Sequence, residues 1–182
     1  MSSRRLHALA ASILLAVAAT AQARLKPGEA MALCFPDHAV SVHPVLLDQK
    51  QRTLIAKASG EKAPRKIIHT YKAHKGKDLV AIGYVDAHLV RTKKQILLVI
   101  IDTAGKNAGK VRRVEVLAFT EPAQYRPAGR FYAQFQGLNL SRDLREGRQI
   151  KRVTGATMTT RATTAAVRRT LATHGLLHKL PE

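Results

Sequence analysis

The chain has 182 residues, with 31 Lys and Arg against 12 Asp and Glu, a formal net charge of +19, one cysteine and no tryptophan. A single cysteine excludes an intramolecular disulfide. Such a basic chain attracts anionic partners, among them nucleic acid, anionic lipid and acidic proteins. The basic residues are scattered, however, and only 4% of residues are aromatic, which argues against a nucleic-acid-binding protein that stacks bases on aromatic side chains.

The first 23 residues have the pattern of a cleaved signal peptide. Arg4 and Arg5 precede an almost uncharged apolar run over residues 6–20, and Ala21-Gln22-Ala23 predicts cleavage before Arg24. The alternative is a retained membrane anchor, but the run is shorter than the roughly 20 residues that cross a bilayer. Cleavage removes the two arginines and no acids, so the formal charge falls from +19 to +17. We therefore expect a single soluble domain of 159 residues in the periplasm.

The segment over residues 24–78 reads as a helical and strand-like extension. A short helix is predicted from Pro27 to Leu33, ended by Pro36, and a second from Asp48 to Ala58. Asp48 can cap the second helix, and Ser59-Gly60 closes it. Both helices precede the predicted sheet.

The middle of the chain predicts antiparallel strands joined by short turns. Period-two alternation, β-branched runs and Gly-containing turns mark them. The predicted strands are Lys66–Ala73, Leu79–Val90, Ile96–Ile101 and Val111–Phe119, with a hairpin loop over residues 102–110. A meander of this kind is typical of an antiparallel sheet.

The last third of the chain predicts helices again. Pro122 and Pro127 mark a loop, a short helix or turn follows over residues 130–137, and a long helix is predicted from Met158 to His174 with Gly175 as its C-terminal cap. The fold class is therefore α+β: an antiparallel meander with helices before and after it. Residues 79–175 form its main domain, and residues 176–182 form a C-terminal tail.

The chemically unusual segment is Thr154-Gly155-Ala156-Thr157-Met158-Thr159-Thr160-Arg161, at the predicted start of the long helix. The first N–H groups of a helix lack partners inside the helix and carry positive partial charge, so they bind phosphate well. Gly155 lets the backbone approach an anion closely, Thr157 and Thr159 offer hydroxyls, and Arg161 adds a cation. The segment predicts an anion site. The alternative is that threonines only cap the helix.

This segment resembles the C-terminal motif of the FMN-binding domain family, which reads Ser/Thr-Gly-Ala-Thr-x-Ser/Thr. The family includes the covalent-flavin subunits of sodium-translocating quinone reductase and Rnf complexes, and standalone exported proteins. The resemblance implies that a periplasmic FAD:protein FMN transferase attaches FMN through a phosphoester to Thr157, with Thr154, Gly155, Ala156 and Thr159 as the motif around it. Arg161 is assigned to the phosphate.

The resemblance extends over residues 79–171. It includes the glycine-bearing strand Ile82-Gly83-Tyr84, the following hairpin, and the segment from Phe119 through Phe135. One position departs from the pattern: family members commonly have an acid three residues before the first motif Ser/Thr, where this chain has Lys151. Covalent attachment and non-covalent binding of FMN at the same helix start therefore both remain open.

The function that the resemblance implies is a periplasmic flavoprotein that relays electrons between a membrane-bound donor and a periplasmic acceptor. Phe119, Tyr125, Tyr132 and Phe135 are candidates for the walls of the ring pocket, or for ordinary core packing. The spacing of the histidines fits neither a zinc site nor haem attachment. A second hypothesis from the charge alone is a non-catalytic basic module that binds anionic ligands or membrane surfaces.

Overall fold

The computed structural model describes residues 25–178. Five antiparallel strands form one sheet in the order β1-β2-β3-β4-β5, so every strand pairs with its neighbour in sequence. The elements are α1 (Pro27–Cys34), β1 (Ala39–Leu46), α2 (Gln49–Ser59), β2 (Ile67–Lys75), β3 (Asp78–Val90), β4 (Lys93–Asp102), β5 (Val111–Phe119), α3 (Gly129–Ala133) and α4 (Thr157–His178). The predicted α+β class and meander are confirmed.

The predicted signal peptide, residues 1–23, lies outside the described residues, as do residues 179–182 of the predicted tail. Residues 176–178 belong to α4 and not to a tail. Within residues 25–178, no helix combines the length and apolar character needed to cross a membrane.

The structure adds a strand, β1, that was not predicted. It lies between the first two helices and pairs along its whole length with β2, from Ala39 opposite His74 to Leu46 opposite Ile67. Pro44 within it removes a backbone donor, which is tolerated because β1 is the edge strand of the sheet. The segment before residue 79 therefore contributes two strands to the same sheet as β3, β4 and β5.

Helices cover both faces of the sheet. One face packs against α3 and α4 through a cluster that includes Ile82, Leu97, Val99 and Phe131. The opposite face packs against α1. Gly83 of β3 makes this second contact possible, because a Cβ there would lie 2.7 Å from Met31 Sδ.

The second helix follows its predicted capping. The Asp48 carboxylate accepts a hydrogen bond of 2.7 Å from the Gln51 N–H, and Gly60 ends the helix with a φ of 69°. Helix α2 packs against α4 in a cluster that contains Ile55 of α2 and Ala172 of α4. Leu47, which precedes α2, belongs to the same cluster. This contact places the N-terminal segment directly on the long helix.

The prediction that Gly175 caps the long helix is wrong, because α4 continues through it to His178. A glycine inside a helix costs about 1 kcal/mol relative to alanine. The next two residues, Leu176 and Leu177, pack against the cluster between α2 and α4. Partial burial of the two leucine side chains outweighs this cost, so the helix does not end at the glycine.

Candidate functional site

The N-terminus of α4 follows a tight turn that leaves its first N–H groups without a side-chain cap. Gly155 adopts a φ of 81°, and the Ala156 N–H donates to the Val153 carbonyl at 3.2 Å. The Ala156 carbonyl then accepts the Thr160 N–H at 2.9 Å, which makes Ala156 the N-cap residue. Alanine has no side-chain acceptor for the N–H groups of residues 157–159. The alternative in which a threonine caps the helix is therefore wrong.

The structure separates the predicted site residues into exposed and buried sets. Thr154, Gly155 and Thr157 are exposed, and Arg161 is exposed one turn beyond Thr157. Residues four apart lie on the same helix face, so the Arg161 guanidinium and the Thr157 hydroxyl share one surface. These residues form an exposed, positively polarised helix start.

Ala156 and Thr159 point inward instead. Both are buried, and the Thr159 hydroxyl donates to the Tyr125 carbonyl at 2.7 Å. Thr159 therefore does not offer its hydroxyl to an anion at the helix start, although the sequence suggested that it could. Its hydrogen bond fastens the loop after β5 to α4.

Two further loops meet beside this helix start. The Arg91 guanidinium, in the turn between β3 and β4, lies 4.2 Å from the centre of the Tyr125 ring. A hydrogen bond with Gln124 and then the Arg91 guanidinium lower the pKa of Tyr125. The Glu121 carboxylate accepts the Lys93 N–H at 3.0 Å and so fastens the loop to the same turn.

The four aromatic candidates for a ring pocket have different positions. Phe119 and Phe135 are buried in the core, and Tyr125 lies at the surface under Arg91. Tyr132 is buried, and it also lines a groove of about 750 Å³ next to the loop that carries Tyr125. Of the four, Tyr125 and Tyr132 are positioned to contact a ligand.

The groove runs along β5, which forms the edge of the sheet opposite to β1. Residues 112–116 of β5 form one side, the end of α1 a second, and residues 126–136 the third. Arg112 pairs with Asp102, and Arg113 pairs with Glu115. Among the residues that the structure describes, Arg126 forms no ion pair, so its charge remains available at the groove.

A partly buried polar network was missed by the sequence reasoning. Asp86, His88, Gln95 and Arg169 form hydrogen bonds with one another. They come from β3, β4 and α4, and each alone looks like an ordinary polar residue. The only signal in the sequence was Gln95, which directly precedes the apolar run of β4. No local pattern connects these residues.

Lys151, the residue that departs from the family pattern, is exposed, and its backbone N–H donates to Gln134 Oε1 at 2.7 Å.

Between residues 25 and 178, no group of three or more His, Cys, Asp and Glu side chains is arranged to hold a metal ion. No family model, curated protein or solved structure matches the chain.

Proposed function

We propose that the protein is a periplasmic electron-transfer module that carries FMN linked by a phosphoester to Thr157. The observation that carries the proposal is the exposed Thr157 hydroxyl at the start of a 22-residue helix whose N-cap is alanine. A long helix with free N–H groups at its N-terminus stabilises negative charge there. The motif around Thr157 and its resemblance to covalent flavoproteins select FMN as the source of that charge.

The residues of this chain would hold the phosphate and position the cofactor. In the attachment step, the Thr157 hydroxyl oxygen attacks the phosphorus atom of the FMN half of FAD. The bond from that phosphorus to the AMP half breaks, AMP leaves, and the hydroxyl proton passes to a base of the transferase. Arg161, on the same helix face, would neutralise part of the phosphodiester charge. The turn at Gly155 leaves the approach open, since a Cβ there would meet no atom within 4 Å.

FMN supplies the one- and two-electron chemistry when bound, and the protein fixes its position. Covalent attachment would keep the flavin on an exported protein. The partners would be a periplasmic FAD:protein FMN transferase, a membrane-bound donor or acceptor, and a periplasmic redox protein. A basic surface favours encounter with anionic membranes and acidic partners.

The test is to export the chain together with an active FAD:protein FMN transferase and to measure intact mass. We expect a mass increase of FMN less one water, located at Thr157, and flavin fluorescence that survives denaturation. Thr157→Ala should lose both signals. Thr53→Ala, which removes an exposed hydroxyl from α2, is the matched control and should keep them.

The remaining outcomes distinguish the alternatives. Flavin that is released on denaturation would mean non-covalent binding, and Lys151→Glu should then restore attachment if the missing acid is the reason. Colourless protein in the presence of transferase and flavin would refute the proposal. Salt-sensitive binding of that colourless protein to anionic vesicles would favour the basic binding module.

A further inference from the structure

A second groove, of about 670 Å³, lies between α2 and α4. Leu54 and Ala58 of α2 line it on one side, and Leu171, Gly175 and Leu176 of α4 line it on the other. Pockets that hold small ligands have volumes of about 300–1,000 Å³ and are lined mainly by apolar side chains. This space, the α2–α4 groove, therefore has the size and the lining of a site for an apolar ligand.

The α2–α4 groove lies on the outer side of the apolar cluster that joins the two helices. Ile55 and Ala172 are buried members of that cluster, and both also line the groove. Beside them, Leu54 leaves 43% of its surface exposed, and Ala58 is exposed as well. A ligand in the groove would remove apolar surface of α2 from water, which favours binding.

Gly175 is unusual because it stands inside α4, where glycine is destabilising relative to alanine. The backbone does not require glycine, since Gly175 is not among the residues with positive φ. Packing does not require it either, because a Cβ there would meet no atom within 4 Å. Since Gly175 lines the groove, the missing side chain leaves open space in the groove wall. A larger residue at this position would extend into that space.

The charge of the α2–α4 groove comes from one side chain. Lys57 is the only charged residue that lines it, and no acid does. Lys57 is exposed, and it forms no ion pair with any residue that the structure describes. The other polar side chain in the lining is Asn139, whose amide NH₂ group can donate a hydrogen bond. An apolar groove with one ammonium group is complementary to an amphiphile that has an alkyl chain and a single anionic head.

We propose that the α2–α4 groove binds a free fatty acid, with the alkyl chain between the two helices and the carboxylate at Lys57. Leu171 lies about 20 Å along the axis of α4 from Thr157. The groove is therefore separate from the proposed site of FMN attachment, and its occupation does not depend on flavin. A bound chain would contact both helices and so strengthen the attachment of α2 to α4.

The test titrates the mature full chain, without flavin, with decanoate and follows binding by calorimetry. Two comparison ligands separate the chain from the head: acetate has the carboxylate alone, and decyltrimethylammonium has the same chain with a positive head. We expect saturable binding of decanoate, much weaker binding of decyltrimethylammonium and none of acetate. Octanoate, which is two methylenes shorter, should bind about tenfold more weakly than decanoate.

Variants locate the site. Gly175→Leu fills the groove and should weaken decanoate binding by about tenfold or more, while the fold is kept because leucine favours a helix more than glycine. Ala32→Leu, which adds a leucine to an exposed position of α1, is the matched control and should leave binding unchanged. If Gly175→Leu does not fold, Ala58→Leu fills the groove from α2 and should have the same effect on binding.

The head group is tested separately. Lys57→Gln should weaken decanoate binding by about threefold, as expected for an exposed charge pair, and should reduce the preference for decanoate over decyltrimethylammonium. Lys50→Gln, on the exposed surface of the same helix, should change neither.

Unchanged decanoate binding in the variant that fills the groove would overturn the proposal, as would equal affinity for decanoate and decyltrimethylammonium. Absence of decanoate binding would also overturn it. If the protein then forms dimers that Gly175→Leu abolishes, the groove is instead a contact between two copies of the chain. Failure of FMN to attach to Thr157 refutes only the proposed function, because this test uses protein without flavin.

Discussion

Substitution of Arg168 should destabilise the protein more than that of any exposed arginine. Arg168 is 4% exposed, and its guanidinium donates to three backbone carbonyls, those of Ser59, Ser141 and Leu144. It also lies 3.4 Å from the Glu61 carboxylate. It therefore joins the C-terminal end of α2 and the loop over residues 141–144 to α4.

The magnitude follows from the acceptors left behind. Each buried carbonyl that loses its donor costs about 1–3 kcal/mol when water does not replace it, and removal of one partner from a buried charged cluster costs about 3–5 kcal/mol. Because the contact with the Ser141 carbonyl is partly buried and water can reach it, we expect Arg168→Met to lose about 4 kcal/mol of unfolding free energy.

The assay is urea denaturation at neutral pH, with Arg130→Met as the matched control on the exposed surface of α3. The control should change the unfolding free energy by less than about 0.5 kcal/mol. A loss below about 1 kcal/mol in Arg168→Met, with an unchanged denaturant slope, would refute the reasoning, because it would mean that water satisfies the three carbonyls.

Two further predictions concern stability. Burial, and then the charge of His178, lower the pKa of His174 from 6.5 to about 4, while its Nδ1 lies 2.9 Å from the Tyr84 hydroxyl. The unfolded chain takes up a proton near the ordinary pKa and the native state does not, so stability should fall by about 3 kcal/mol as pH drops from 6.5 towards 4. His174→Gln should flatten this dependence in urea titrations at several pH values, and parallel profiles would contradict it. Gly83→Ala should cost about 1–3 kcal/mol in thermal unfolding, because the new Cβ meets Met31. Gly129→Ala, which meets no atom within 4 Å, is the control, and equal effects would exclude the proposed clash.

The sequence was sufficient for elements with strong local signals. Strand β5 was predicted with the bounds that the structure gives, because apolar and polar residues alternate along its sequence. Helix α2 was predicted from Asp48 and Gly60, whose capping roles are local backbone chemistry. The start of α4 was predicted at Met158, one residue after its position in the structure at Thr157. A glycine followed by a polar run that is compatible with a helix indicates this start.

Other features depend on partners that are distant in sequence. Strand β1 has only weak alternation, and its pairing with β2 makes it a strand. Gly175 has the local pattern of a helix end, but the leucines beyond it gain burial against α2, and this tertiary contact extends the helix. Local propensity was overridden at both places by long-range burial and pairing.

The sequence by itself determined the class of fold, the start of the long helix and the motif that makes Thr157 the candidate for attachment. Each of these depends on a local pattern of residues that are close together in the chain. Tertiary structure decided that Ala156 is the N-cap, that Thr159 faces inward to Tyr125, and that the Tyr132 hydroxyl contacts the buried amide of Gln95. The partners in these contacts lie on elements that are distant in sequence, and only folding places them within contact distance.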